Sequence, residues 1–304
     1  MSLFPHSDFT YYFFGLRAGL ANLRVNGLQL GLKKTVGKIT QPINSYTRFP
    51  EYYWFDRAIQ SYLAGFSGDR PPSILDIGSP KMFGLYVAQK NPVDLTLTDI
   101  SEINIGEYQV MWRALQGRAK GQVRFSLEDA RELHFPAAQF DIVYSMSVLE
   151  HIEGESGDAR AIGELLRVLK PGGLVILSVP FGNKYMEQKR VGFAGAARKT
   201  GDQETYFFQR IYDGPMFQSR LLEPLAKLQA VRITTVQRTR AGISRTFGAL
   251  GENVRGLFGG LNPILSAMGN RSRQGIDSSF ATHYSELHTA RDVYGDLILA
   301  GIKP

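Results

Sequence analysis

Two carboxylates in the first half of the chain, Asp76 and Asp99, stand where a nucleoside can be gripped, and a third acid, Asp129, follows them. Asp76 sits in an apolar run, Ile74-Leu75-Asp76-Ile77, which leads into Gly78-Ser79-Pro80-Lys81. Asp99 closes a second run, Leu95-Thr96-Leu97-Thr98. Asp129 follows a third, next to Glu128 and Ala130. A carboxylate at the carboxyl end of a parallel strand can accept charge-assisted hydrogen bonds from two ribose hydroxyls. About 23 residues separate Asp76 from Asp99, close to the ~20 of a nucleotide-binding strand–helix–strand unit. Taken singly, Asp76 or Asp99 is more simply a cap for the next helix or turn. Their placement on successive strands is what gives them weight.

The elements that must carry these acids can be read from hydrophobic periodicity. Short apolar runs over 73–77, 94–98, 122–126, 140–145 and 174–179 alternate with helical stretches. Several runs are continuously apolar, as strands covered on both faces are. Residues 158–170 carry Ile162, Leu165, Leu166 and Leu169 on one helical face. Residues 231–236 and 297–302 are two further strand candidates. The alternation predicts an α/β fold: a mostly parallel, seven-stranded sheet with helices on both faces and right-handed crossovers. Residues 1–72 read as an N-terminal helical extension, with leucines at helical spacing and an aromatic-rich helix over 49–66. Residues 73–304 form the main domain, with a lid over 181–210 and an insertion over 239–290. In that insertion, apolar residues recur at steps of three and four from Phe247 to Met268, which predicts an amphipathic helical segment.

Composition narrows the chemistry. The chain has no cysteine, which removes disulfides, thiolate metal sites, cysteine nucleophiles and iron–sulfur clusters. The five histidines, His6, His134, His151, His283 and His288, form no recognised metal pattern. No stretch approaches the ~20 apolar residues of a membrane span, and Asp8 occupies the place of a basic leader region. These features suit a cytoplasmic setting. The +7 charge is uneven: residues 1–50 hold six Lys/Arg against Asp8, and 232–273 hold seven Arg against Glu252. Such basic segments either meet an anionic partner, a membrane surface among them, or are simply solvated.

The full order of motifs is more specific than any one of them. Asp76-Ile77-Gly78, Asp99, Asp129-Ala130, Phe140-Asp141-Ile142-Val143, Leu149-Glu150-His151 and Leu169-Lys170-Pro171-Gly172-Gly173 occur in sequence. This order resembles the class I S-adenosylmethionine-dependent methyltransferases, closely over about residues 73–180. The resemblance implies a Rossmann-like fold and S-adenosylmethionine as cofactor. It implies that Asp76, Gly78 and Ser79 pack against the cofactor's amino-acid end, and that Asp99 binds ribose with Ile100 beside adenine. Asp129 then accepts from the adenine amino group, Ala130 flanks it, and Ser145, Met146 and Ser147 underlie the methionine portion. Asp141 is implied to be structural. Pro80 departs from the family, which usually has a second glycine there. Pro80 suits the start of a helix, and Lys81 is then expected to pair with the cofactor carboxylate in place of the lost N–H.

A sulfonium methyl is already electrophilic, so the protein's task is in-line positioning and exclusion of water. His151 is the candidate base where the nucleophile starts protonated, although it can equally organise a helix start. Tyr206 and Tyr185, in the expected lid, are candidate acceptor contacts. The reading is methyl transfer to a small-molecule or lipid-like acceptor, with oligomerisation open. Two other readings remain: an RNA ribose methyltransferase, and a non-catalytic scaffold that kept the fold. A nucleic-acid acceptor is disfavoured because Ser145-Met146-Ser147-Val148 is not the Pro-Pro-aromatic turn used on base amines. A dehydrogenase is disfavoured because the first turn lacks Gly-x-Gly-x-x-Gly.

Overall fold

Successive side chains on the central strands enter two different cores, as a period-two backbone covered on both faces requires. Ile74, Ile142, Tyr144, Leu174 and Ile176 face one core. Leu75, Ile77, Val143 and Val175 face a second, and Leu177, Val179, Leu297 and Leu299 extend that side into a third. The structure, a computed structural model, describes residues 9–40, 48–191, 205–238, 270–276 and 294–304.

Three helices open the chain: α1 (Phe9–Asn26), α2 (Leu32–Thr40) and α3 (Arg48–Ala64). The alternating part follows: β1 (Ser73–Ile77), α4 (Lys81–Lys90), β2 (Asp94–Asp99), α5 (Glu102–Leu115), β3 (Gln122–Leu127), β4 (Phe140–Met146), α6 (Gly157–Val168) and β5 (Leu169–Gly182). Then come β6 (Met186–Val191), β7 (Thr205–Ile211), the short α7 (Gly214–Phe217), β8 (Gln229–Arg238), β9 (Asn270–Ile276) and β10 (Tyr294–Ile302). The main sheet has the order β3-β2-β1-β4-β5-β10-β8-β9. Strands β3, β2, β1, β4 and β5 pair in parallel, and β10 runs antiparallel between β5 and β8.

The seven expected strands are all present, and the chain reverses direction beside β1, where β1 neighbours both β2 and β4. In open α/β sheets this switch point is where ligands bind, outside the strands' carboxyl ends. Three strands were not expected. β6 and β7 form a separate antiparallel ribbon, and Glu187, Gln188, Lys189 and Arg190 give β6 no apolar alternation to read. β9 adds an eighth strand at the edge, against β8. It corrects the expectation of a helical insertion for the part that is described: residues 270–276 are mostly polar and extended. The apolar positions 247–268 lie outside the described residues. Lys170-Pro171-Gly172-Gly173, expected as a turn, is continuous with β5. The register shifts beside it, and Gly172 takes φ +73°.

The N-terminal helices share the main core. Tyr11, Phe14 and Ala18 of α1 and Tyr52, Phe55 and Ile59 of α3 pack with Phe83 and Tyr86 of α4 and with sheet residues. At the sheet's amino edge, Asp141 collects four groups. It accepts from the Ser73 N–H at 2.8 Å, the Ser73 hydroxyl at 2.6 Å, Arg70 at 2.9 Å and Lys170 at 3.1 Å. Burial opposes its ionisation, but Arg70 and Ser73 outweigh it and hold the carboxyl at about 2. Asp141 is thus structural, as the resemblance implied. Because the folded pKa lies below the unfolded value of roughly 4, its stabilisation is complete above about pH 4 and disappears as pH falls towards 2. Asp141→Asn is expected to cost about 1–2 kcal/mol at neutral pH, after allowing for the half-exposed Arg70. In urea melts the gap between the two proteins should close below pH 3.

Candidate active site

Along the carboxyl edge of the sheet runs one cleft of about 1450 Å³. Its walls include Gly78 after β1, Asp99 and Ile100 after β2, Asp129 and Ala130 after β3, and Ser147 and His151 after β4. Tyr185, Tyr206, Phe207 and Arg210 close it from the β6–β7 side. The pairing of Asp99 with Leu127 sets Asp129 two residues beyond the end of the neighbouring strand. Asp99 and Asp129 therefore share one edge and one cleft.

The first turn is built from the buried end of Asp76. This carboxylate has no solvent exposure. It accepts from the Ser79 N–H at 2.8 Å and from the Tyr144 hydroxyl at 3.0 Å, and the Lys81 ammonium lies 3.5 Å away. Burial pushes the Asp76 carboxyl up, against the opposing pull of Lys81, the Ser79 N–H and the Tyr144 hydroxyl. Gly78 rises over this base at φ +64°, and a Cβ there would stand 2.9 Å from Val148 Cγ1. The position needs glycine on both counts. Pro80 precedes the first residue of α4 with φ −57°, so the departure from the family's glycine fits a helix start.

Four expected cofactor contacts, Asp76, Ser79, Lys81 and Ser145, lie beneath the cleft surface instead of on it. Lys81 is 2% exposed. Its ammonium donates to the Ser79 carbonyl at 2.6 Å and approaches Asp99 at 3.7 Å. It supports the turn from below, which corrects the expectation of a pairing with the cofactor carboxylate. Ser79 is buried, and its hydroxyl accepts from the Met146 N–H at 2.8 Å. Ser145 is fully buried on β4. These residues shape the turn, while Gly78, Asp99, Ile100, Asp129, Ala130 and Ser147 line the cleft.

Asp99 accepts from the Ser101 N–H at 2.9 Å, which fixes its carboxylate at the start of α5. Ile100 is 71% exposed. Asp129 is clasped by its neighbour Arg131, with contacts of 2.6 to 3.1 Å. That guanidinium holds the Asp129 carboxyl below the usual carboxylate range. His151 Nδ1 lies 2.6 Å from the Phe208 carbonyl oxygen. A carbonyl only accepts, so Nδ1 carries a proton, and Nε2 lies 3.7 Å from a carboxylate oxygen of Glu150. Tyr206 is half-buried on β7. The Tyr185 hydroxyl donates to Glu187 at 2.9 Å, and burial raises its pKa. Arg210, almost wholly buried, donates to the Ile152 and Gly154 carbonyls and fastens the β7 ribbon to the loop after His151.

Glu51 was missed. It lies in the first turn of α3 and is 1% exposed. It accepts from the Ser147 hydroxyl at 2.6 Å and the Ser178 hydroxyl at 2.8 Å. Ser147 takes φ +50°, an uncommon conformation for serine, and its N–H donates to Ser178. A carboxylate from the N-terminal extension thus pins a strained turn of the cleft. The one hint in the sequence is a lone acid among Phe49, Tyr52, Tyr53, Trp54 and Phe55.

Residues 75–177 match the methyltransferase domain family. Over these residues, about a third of the chain, the similarity is to a methyltransferase domain. A sterol 24-C-methyltransferase of Gibberella zeae is 30% identical over 158 residues, 48% of this chain and 40% of that enzyme. The chain therefore spans about two-fifths of that curated relative's length. A demethylmenaquinone methyltransferase of Leptospira interrogans is 45% identical over 58 residues, 19% of this chain and 22% of that enzyme. Among solved structures, a methyltransferase from Methanosarcina mazei covers 81% of this chain and 96% of its own, at 18% identity and a TM-score of 0.48.

The donor set of the cleft fits this family's cofactor: two carboxylates on adjacent strand ends, and a glycine cradle that a Cβ would fill. Glu51→Ala is expected to leave the buried Ser178 hydroxyl and the half-buried Ser147 hydroxyl short of an acceptor, at a cost of about 1–3 kcal/mol. Thermal melts should show the loss, and Glu51→Gln, which keeps an acceptor oxygen, should recover part of it.

Proposed function

We propose that this protein is a methyltransferase that uses S-adenosylmethionine to methylate an apolar, lipid-like small molecule. The observation that carries the reading is the joint exposure of Asp99 and Asp129 in one open cleft at the sheet's switch point. The volume also supports it. About 1450 Å³ exceeds the roughly 300–1,000 Å³ of a one-ligand pocket, which leaves room for cofactor and acceptor together. The sterol and quinone methyltransferase relatives support an apolar acceptor.

S-adenosylmethionine, when bound, supplies a sulfonium methyl group open to displacement by a nucleophile. The chain's own residues do the rest. Asp99 is the acceptor for the ribose hydroxyls, and Ile100 offers apolar contact beside the adenine. Asp129, kept ionised by Arg131, accepts from the adenine amino group. Gly78 lets the chain approach the amino-acid end, and Ser147 holds the turn beneath it. On the far wall, Tyr185, just before β6, and Tyr206 and Phe207 of β7 form an aromatic face for the acceptor; the part of the expected lid between β6 and β7 lies outside the described residues. His151, in the cleft wall with Glu150 beside its Nε2, is the candidate base for an acceptor hydroxyl or amine. A carbon nucleophile that starts deprotonated makes no such demand. The scaffold reading loses its main support, because Pro80 is accommodated at a helix start and the cleft is open.

Titration calorimetry tests the cofactor half. Asp99→Ala is expected to weaken S-adenosylmethionine binding by tenfold or more, since charge-assisted bonds contribute about 1.5–3 kcal/mol. Undiminished affinity in Asp99→Ala would remove the ribose assignment. His151→Gln should leave that affinity intact and lower kcat in a radiolabelled methyl-transfer assay with quinol or sterol acceptors.

A further inference from the structure

The large exposed apolar side chains among the described residues fall into two groups. Ile100 lines the cleft, with Ile103 in the first turn of α5 and Leu127 at the end of β3. The others lie on the α1–α2 hairpin. α1 buries Tyr11, Phe14 and Ala18 in the core. Its opposite stripe carries Arg17, Leu20 and Arg24, at steps of three and four. Leu23 and Val25 flank that stripe, Leu28 projects from the tip, and Leu32 opens α2 at 65% exposure. Between residues 9 and 40 there are five Lys/Arg and no Asp or Glu. Arg17, Arg24 and Lys33 are all exposed.

The hairpin is held firmly from beneath. The Asn26 side chain donates to the Val110 carbonyl at 2.8 Å, Lys34 pairs with Glu107, and Lys38 lies 4.5 Å from the Tyr108 ring centre. All three anchors are on α5, whose first turn follows Asp99 and Ile100 at the cleft. The outer face is therefore a fixed surface one helix away from the site.

We propose that this face seats the protein on a bilayer bearing anionic headgroups. Leu20, Leu28 and Leu32 would enter the boundary with the acyl chains, and Arg17, Arg24 and Lys33 would meet the headgroups. Charge decides against a second copy as the occupant. A symmetric dimer through this face would set one purely cationic hairpin against another. A nucleic acid would satisfy the arginines but leave the leucines in water. The docking does not depend on methyl transfer.

The test is flotation of the full chain with phosphatidylcholine vesicles, plain or with roughly one-third phosphatidylglycerol. Wild type should float with the anionic vesicles only, and release as sodium chloride rises. Arg17→Glu/Arg24→Glu and Leu20→Glu/Leu28→Glu should each lower the bound fraction about tenfold or more. Both should keep the wild-type melting midpoint and S-adenosylmethionine affinity, so that a loss of docking is separable from a loss of fold or site. Absence of flotation at low salt would overturn the proposal, as would equal flotation by the variants. It would also be overturned if the variants converted a dimer to monomer in sedimentation while wild type ignored the vesicles.

Discussion

The cleft depends on a carboxylate that never meets water. Asp76 is held from above by the Ser79 N–H, from the side by the Tyr144 hydroxyl and from below by Lys81. A buried charge of this kind is costly unless every lone pair is engaged. Lys81 bridges it to Asp99, so two neighbouring strand ends share one cation. The backbone adds a second tie, since the Thr98 hydroxyl donates to the Asp76 carbonyl at 2.6 Å. The spacing of the turn after β1 from the end of β2 is set by these bonds. A ligand that spans both is met by a preorganised surface, which lowers the ordering cost of binding.

That arrangement leans in turn on the N-terminal helices. Tyr11 donates to the Tyr52 carbonyl at 2.9 Å, and its ring lies 4.4 Å from that of Tyr86. Tyr52 stacks on Phe83 at 5.4 Å, and Phe83 meets Tyr144 edge-on at 5.5 Å. Tyr144 is the residue whose hydroxyl reaches Asp76. A continuous aromatic layer thus runs from the first helix to the base of the cleft, with aromatic pairs adding about 0.5–1.5 kcal/mol each beyond burial. Glu51 supplies a second route, through Ser147 and Ser178. The buried face of the extension is part of the site's foundation, and changes to Tyr11, Tyr52 or Glu51 should be felt at the cleft.

Legibility in the sequence followed the strength of local physics. β1, β4 and β5 are apolar on both faces and declare themselves as runs. Asp99 stood out as an acid at a strand's end, and Asp129 through the order of motifs; both line the cleft. Lys81 was placed on the correct helix but given the wrong direction. From sequence, a lysine after a loop reads as solvent-facing; here Asp76, Ser79 and Asp99 offer enough partners to bury it. Glu51 could not be paired with Ser147, because 96 positions separate them. β6 was invisible because it forms half of a ribbon outside the main sheet, with no two-sided burial to impress a pattern on it.

The two walls of the cleft therefore encode different things. In the proposed function the wall after β1, β2 and β3 answers to a fixed ligand, with residue types suited to that ligand's hydroxyls and amine. The wall from β6 and β7, which the proposed function gives to the acceptor, is fastened by a few long-range bonds such as those of Arg210 to the Ile152 and Gly154 carbonyls. Its composition is free to vary as long as those fastenings remain, because its strands pair only with each other. This is why one half of the chemistry can be read from motif order, while the acceptor's chemistry must be sought in the shape and polarity of a ribbon that carries no motif.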